Sequence, residues 1–249
     1  MMWQARQIAL VTRREFNSYF ATPLAFVFIF VFLLATGLST FYLGGYFEAG
    51  QADLISFFLF HPWLYLIFLP AISMRLWAEE RRNGSIELLL TLPVPLSAVV
   101  LGKYFAALGI AALALSLTFP IWLTVNYLGS PDNGVILAGY LGSLMLAGGY
   151  LSIGSCVSAC TRNQVIAFVV AVVVCFLFTI SGAPLVIEVF RGWAPAALVD
   201  TLAGFSFLTH FRAITGGVID IRDLVFFVSL IGVFLTATAV IVDMKRGDS

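Results

Sequence analysis

Residues 79–103 read EERRNGSIELLLTLPVPLSAVVLGK, a dense run of charge in a chain that is otherwise a series of long apolar stretches. Glu79, Glu80, Arg81, Arg82, Glu87 and Lys103 fall within it. Charge is costly in hydrocarbon, so this segment must lie in water between two membrane spans. Asn83-Gly84 breaks the local structure, and Ser85 is then placed to cap a short helix whose first turn carries Glu87, where the helix dipole favours a negative charge. Ile86, Leu89 and Leu90 share one face of that helix, and Pro93 and Pro95 stop it. A short helix with one apolar face docks either on a partner or on its own bundle and the membrane surface.

The rest of the composition agrees with a membrane setting. The chain has 249 residues, 61% of them hydrophobic and 10% charged, against about 25% charged in soluble domains. The expected class is therefore an all-α integral membrane protein with a single transmembrane domain over residues 1–249. Net charge is zero, which gives no basis for a nucleic-acid partner, and none is expected. The first apolar run, Pro23 to Leu43, is too long for a cleavable signal and suits a retained span.

Six spans are expected near residues 23–44, 57–77, 97–127, 135–159, 164–187 and 223–242, each meeting the need for about 20 apolar residues. Ahead of them, Trp3–Thr22 carries Arg6, Arg13 and Arg14 on one side. Ile8, Val11, Phe16, Tyr19 and Phe20 lie on the other. This reads as a helix along the inner interface, or as a plain basic N-terminus. With the N-terminus in the cytosol, ten Lys/Arg fall on inner segments and three on outer ones. That asymmetry places both termini in the cytosol. Span four is rich in small residues, with Gly148/Ser152 and Ser155/Ala159 at a spacing that allows close helix approach, inside the bundle or at a subunit seam. Between spans five and six, Pro195–Ala203 and Phe205–Phe211 are apolar but too short to cross, as expected of re-entrant or interfacial helices capping an outward path.

Chemistry is sparse. Gly102-Lys103 is followed by Tyr104 and lacks the first glycine of a phosphate-binding loop, so no enzyme activity or nucleotide site is expected in this chain. His61 and His210 are isolated in sequence and read as satisfied interfacial histidines. Cys156, Cys160 and Cys175 read as buried small apolar side chains rather than metal ligands. No ionisable residue is placed in the middle of a span, which argues against a proton-driven carrier. If the chain moves a solute uphill, the energy comes from another polypeptide through a cytosolic contact, for which Ser85–Leu92 is the best candidate.

The same residues carry a family resemblance. The run through Glu79, Glu80, Arg81, Arg82, Gly84, Ser85, Ile86, Glu87, Leu89, Leu90 and Pro93, with Gly102-Lys103 at the start of span three, resembles the signature of ABC-2-type permeases. These are six-span membrane subunits of ATP-binding-cassette exporters. Arg14-Glu15-Phe16 and Tyr19–Pro23 resemble the family's entry to span one. His210-Phe211, followed by Gly217–Asp220 and Arg222-Asp223, is most similar to the gliding-motility-type branch.

The resemblance implies that Ile86–Leu92 is the coupling helix of an ATPase partner that binds ATP and Mg. It implies a connecting helix containing Arg6, Arg13, Arg14 and Glu15, and re-entrant helices near the exit with His210, Phe211, Arg212 and Asp220 as outer gate candidates. It further implies pairing with a second permease, identical or sister, in a bacterial inner membrane, with an unidentified cargo. An ATP-driven anchor or transmission unit for envelope machinery, moving no solute, is the alternative expectation.

Overall fold

A computed structural model describes residues 2–85, 94–191 and 194–245. Residues 86–93 lie outside the described residues, and with them the expected coupling helix and its Ile86, Glu87, Leu89, Leu90 and Pro93.

The described residues form helices and their connections, with no strand among them. Helix α1 is Met2–Phe20, and α2 is Leu24–Leu38, continued by a π-turn at Ser39–Leu43. A short α3, Tyr46–Ala49, precedes α4, Ile55–Ser73, and α5, Arg75–Asn83. Next come α6, Leu96–Ser116, α7, Phe119–Leu128, and α8, Asn133–Cys160. The C-terminal third holds α9, Gln164–Ile180, α10, Pro184–Arg191, α11, Ala196–Gly204, α12, Phe207–Thr215, and α13, Ile221–Met244.

Among the described residues, five helical stretches are long and apolar enough to cross a membrane: Ala25–Glu48, Ile55–Asn83, Leu96–Leu128, Asn133–Cys160 and Ile221–Met244. The fifth expected span, 164–187, differs from expectation. Its helix ends at Ile180, and α10 leaves at 77°. Pro184 offers no amide and pushes Ala183 out of the helical region, and Gly182 sits close against Ser206 and Thr209. At 1.5 Å per residue, α10, α11 and α12 are each about 12–14 Å long, so none of them crosses a bilayer of about 30 Å. Span three also bends, at Leu117–Thr118, where Pro120 withholds an amide from the ladder.

Polar side chains cap several helices. Asp132 accepts from the amides of Gly134 and Val135 at the start of α8, Asn163 from Val165 and Ile166 at α9, and Asp220 from Arg222 at α13.

Helix α8 is the centre of the bundle, packed against α4, α5, α6, α9, α12 and α13. Lipid is as apolar as leucine, so close van der Waals packing and hydrogen bonds hold such a bundle together. The small residues of span four serve this internal packing. A Cβ on Gly148 would lie 2.7 Å from the Tyr104 hydroxyl and 3.1 Å from Ile231. Tyr150 links three spans, its hydroxyl donating to the Pro62 carbonyl at 3.3 Å and pairing with Thr179 at 2.5 Å.

Two expectations need correcting here. His61 is fully buried, 4.5 Å from the Phe57 ring and 5.3 Å from Tyr65. Neither of its ring nitrogens has a hydrogen-bond partner among the described residues. It is therefore not satisfied by the described residues, because its side of α4 is turned inward against Phe32 of α2. The cysteines, expected to be buried, are so only at Cys175: Cys156 is half-buried, and Cys160 is exposed because it is the last residue of α8.

Candidate coupling site

The charged segment is built as an extension of span two. The helix breaks at Met74 and restarts as α5, which leaves the first amides of the new turn without intrahelical acceptors. Span four supplies them. The Ser158 hydroxyl accepts from the Trp77 and Ala78 amides, both at 3.1 Å, and donates to the Met74 carbonyl at 2.9 Å. Trp77 is fully buried, and its indole N–H donates to Ser155 at 3.1 Å. At the other end of α5, Gly84 takes the left-handed conformation at φ +71°, the conformation for which an Asn-Gly pair is suited.

The exposed side of α5 carries an i,i+4 pair, Arg75–Glu79, with both nitrogen–oxygen contacts formed, at 2.7 and 3.1 Å. Arg81 points the other way and donates to the Ala159 carbonyl at 2.8 Å. Lys245 donates to the Cys160 carbonyl at 2.8 Å. Two cations thus sit on the free carbonyls at the C-terminus of α8, where the helix dipole favours positive charge. Through these contacts the C-terminus of α13 lies at the same end of the bundle as α5.

Helix α1 completes the site. Arg6, Arg13 and Arg14 are exposed, while Ile8, Val11, Glu15, Phe16 and Tyr19 are half-buried against α6. The approach is close: a Cβ on Gly102 would stand 2.6 Å from Val11 Cγ1. One residue on, Lys103 is buried, with its side chain 3% exposed. Its ammonium contacts Glu80 Oε1 at 2.7 Å and Glu15 Oε2 at 3.2 Å, and lies 5.5 Å from the Trp77 ring centroid. Burial works to raise the Glu15 carboxyl, but Lys103 and Arg14 outweigh it and hold it below its ordinary value. Lys103 therefore joins α1, α5 and α6 through one ammonium between two carboxylates. A solvent-open cavity of about 340 Å³ lies beside them, with Ser18, Tyr19, Arg75, Glu79 and Asn83 also on its walls.

Of the sequence candidates on this side, Glu15, Glu79, Glu80, Arg81, Gly84 and Ser85 gather around α5. Arg82 is exposed and makes no ion pair among the described residues. The Ser85 hydroxyl donates back to the Glu80 carbonyl at 3.4 Å. Sequence reading missed the partnership of Lys103 with Glu15 and the use of Ser155 and Ser158 by Trp77. The signal for the first was a lone lysine at the head of an apolar helix, which in a membrane needs a counter-charge.

The outer gate candidates lie at the opposite end. His210 Nδ1 is 2.6 Å from Asp223 Oδ1, and Nε2 is 2.9 Å from the Gly204 carbonyl. The ring stacks on Phe226 at 4.1 Å. These contacts join α11, α12 and α13. Phe211 is buried, Arg212 is exposed, and Asp220 caps α13.

A multi-pass bundle, helical with no strand among the described residues, with a charged junction at one end and short helices at the other, suits a membrane permease. The family comparison makes this specific: the model for the ABC-2 family transporter protein matches residues 13–182. The chain belongs to that family and is a permease subunit of an ABC transporter. The match does not single out the gliding-motility-type branch. None of the curated proteins compared with the chain matches it.

Proposed function

We propose that this permease couples ATP hydrolysis by a separate ATPase subunit to outward transport across a bacterial inner membrane. The observation that carries the reading is the Lys103 junction. The 86–93 segment is covalently tethered between α5 and α6, the two helices that Lys103 and Glu80 tie together, and Glu15 adds α1 to the unit. A push on that segment is thereby delivered to spans two and three and to the N-terminal helix at once. The junction end of the bundle faces the cytosol in this reading, in accord with the Lys/Arg asymmetry. The ATPase binds ATP and Mg, the Ile86–Leu92 face fits its docking groove, and a second permease, identical or sister, completes the exporter. The α10–α12 helices then lie at the exit.

Leu89→Asp tests the docking. Co-purification with the ATPase should be lost while membrane insertion is unchanged. Retained association would overturn the assignment. ATP-dependent movement of lipid, drug or peptide candidates in vesicles of the purified complex tests transport itself.

A further inference from the structure

At the end of the bundle opposite the junction, α4 and α12 enclose a mainly apolar groove of about 290 Å³. Ile55, Leu59 and Trp63 line it and are 64, 50 and 43% exposed, so it opens sideways toward lipid. Leu208 and Phe211 form the other wall. A second cavity of about 200 Å³ shares Ile55, Phe58 and Thr215 with the first and reaches Asp53 and Asp132, in the loops that join spans one and two and spans three and four. The groove therefore runs from hydrocarbon depth to the membrane surface.

Its polar groups are few and of opposite sign. Arg212 lines the first cavity, is exposed, and has no carboxylate within ion-pair distance among the described residues. At the far end, Asp53 Oδ1 accepts from the Ile55 amide at 3.0 Å, and Asp132 Oδ1 accepts from the Gly134 amide at 2.8 Å. Neither aspartate is in an ion pair among the described residues.

We propose that this groove binds one aminophospholipid molecule from the adjoining leaflet. An acyl chain lies along Trp63 and Leu208, the phosphate meets Arg212, and the protonated primary amine meets Asp53 and Asp132. The charges select this occupant. A guanidinium fork matches phosphate oxygens, and an ammonium brings three N–H donors to carboxylates. A quaternary choline head has no N–H donor to offer them, and a head with no amine leaves its phosphate facing two carboxylates unrelieved. The inference depends on the chain's place in a bilayer and not on the exporter reading, so its test contains no ATPase and no ATP.

The full chain is purified and titrated with phosphatidylethanolamine, phosphatidylcholine and phosphatidylglycerol bearing the same brominated acyl chains. Quenching at the groove is read as the fluorescence difference between the wild type and Trp63→Phe. Phosphatidylethanolamine should quench at a several-fold lower mole fraction than the other two. Arg212→Gln should weaken quenching by all three lipids, and Arg212→Lys should restore part of it. Asp53→Ser with Asp132→Ser keeps a helix-capping hydroxyl at both positions but removes the charges. That variant should bring phosphatidylethanolamine level with phosphatidylcholine. Equal quenching by all three lipids in the wild type, or a phosphatidylglycerol preference, would overturn the proposal. So would an ethanolamine preference that survives both sets of substitutions.

Discussion

The Nζ of Lys103 lies 2.7 Å from Oε1 of Glu80, an ion pair that closes 23 residues of chain and encloses the whole 86–93 segment. Glu80 is 18% exposed and Lys103 only 3%, so water screens neither partner well. The pair ties α5 to α6 at the point where the chain between them leaves and returns.

Removing the cation should therefore be costly. Lys103→Met leaves Glu15 and Glu80 facing each other with their shared ammonium gone, and breaking a buried pair in this way costs about 3–5 kcal/mol. The expected outcome is a lower thermal unfolding midpoint in detergent and faster proteolysis of α1. Adding Glu80→Gln to Lys103→Met should recover part of the loss, because the uncompensated charge goes with it. If the double variant is no better than Lys103→Met alone, the bridge is not the source of the effect.

Contact between α1 and α6 rests on the absence of a side chain at position 102. Gly102→Ala should lift α1 from span three, since the new Cβ meets both Val11 Cγ1 and Val11 Cβ inside 3.0 Å. Overpacking of this kind costs about 1–3 kcal/mol. Val11→Ala should relieve it in the double variant. Hydrogen exchange across α1 is the measurement, and loss of protection that is independent of Val11 would contradict the packing.

Ser158 acts as a helix cap supplied from another span. Ser158→Ala strands the Trp77 and Ala78 amides and the Met74 carbonyl in a buried setting, at about 1–3 kcal/mol. A red shift or broadening of Trp77 emission, together with lower thermal stability, is expected. An unchanged melting curve would mean that water takes over the role.

On the far side, the His210–Asp223 contact holds the short helices α11 and α12 to the last span. Both imidazole nitrogens face oxygens, one of Asp223 and one of Gly204, so both bonds form together only when the His–Asp pair holds two protons. Asp223→Asn should weaken a charge-assisted bond worth about 1.5–3 kcal/mol. Amide exchange in α12 should rise selectively, while α8 stays protected. Equal exchange in the wild type and the variant would remove His210 from the tether.

Much of the fold could be read in the linear chain, because bilayer thickness imposes one length on every crossing helix and charge cannot rest inside. The apolar runs of spans one to four and six and the short helices after span five follow from that constraint. The 77° turn after Ile180 was less visible, since Pro184 sits among apolar residues that extend the run without a break in hydropathy. His61 was misjudged because hydropathy carries no information about which side of a helix faces a neighbour.

The sequence by itself determined that the chain is a helical multi-pass bundle and where spans one to four and six run, since this depends only on local composition against a slab of fixed thickness. Only the tertiary structure decided that Lys103 belongs with Glu15 and Glu80, that Ser158 caps a helix 81 residues away, and that Arg212 shares a groove with span two. Those pairings depend on which helix faces pack together, and that is set by the fit of residues such as Gly102 and Gly148 to side chains distant in the chain, which no local pattern specifies.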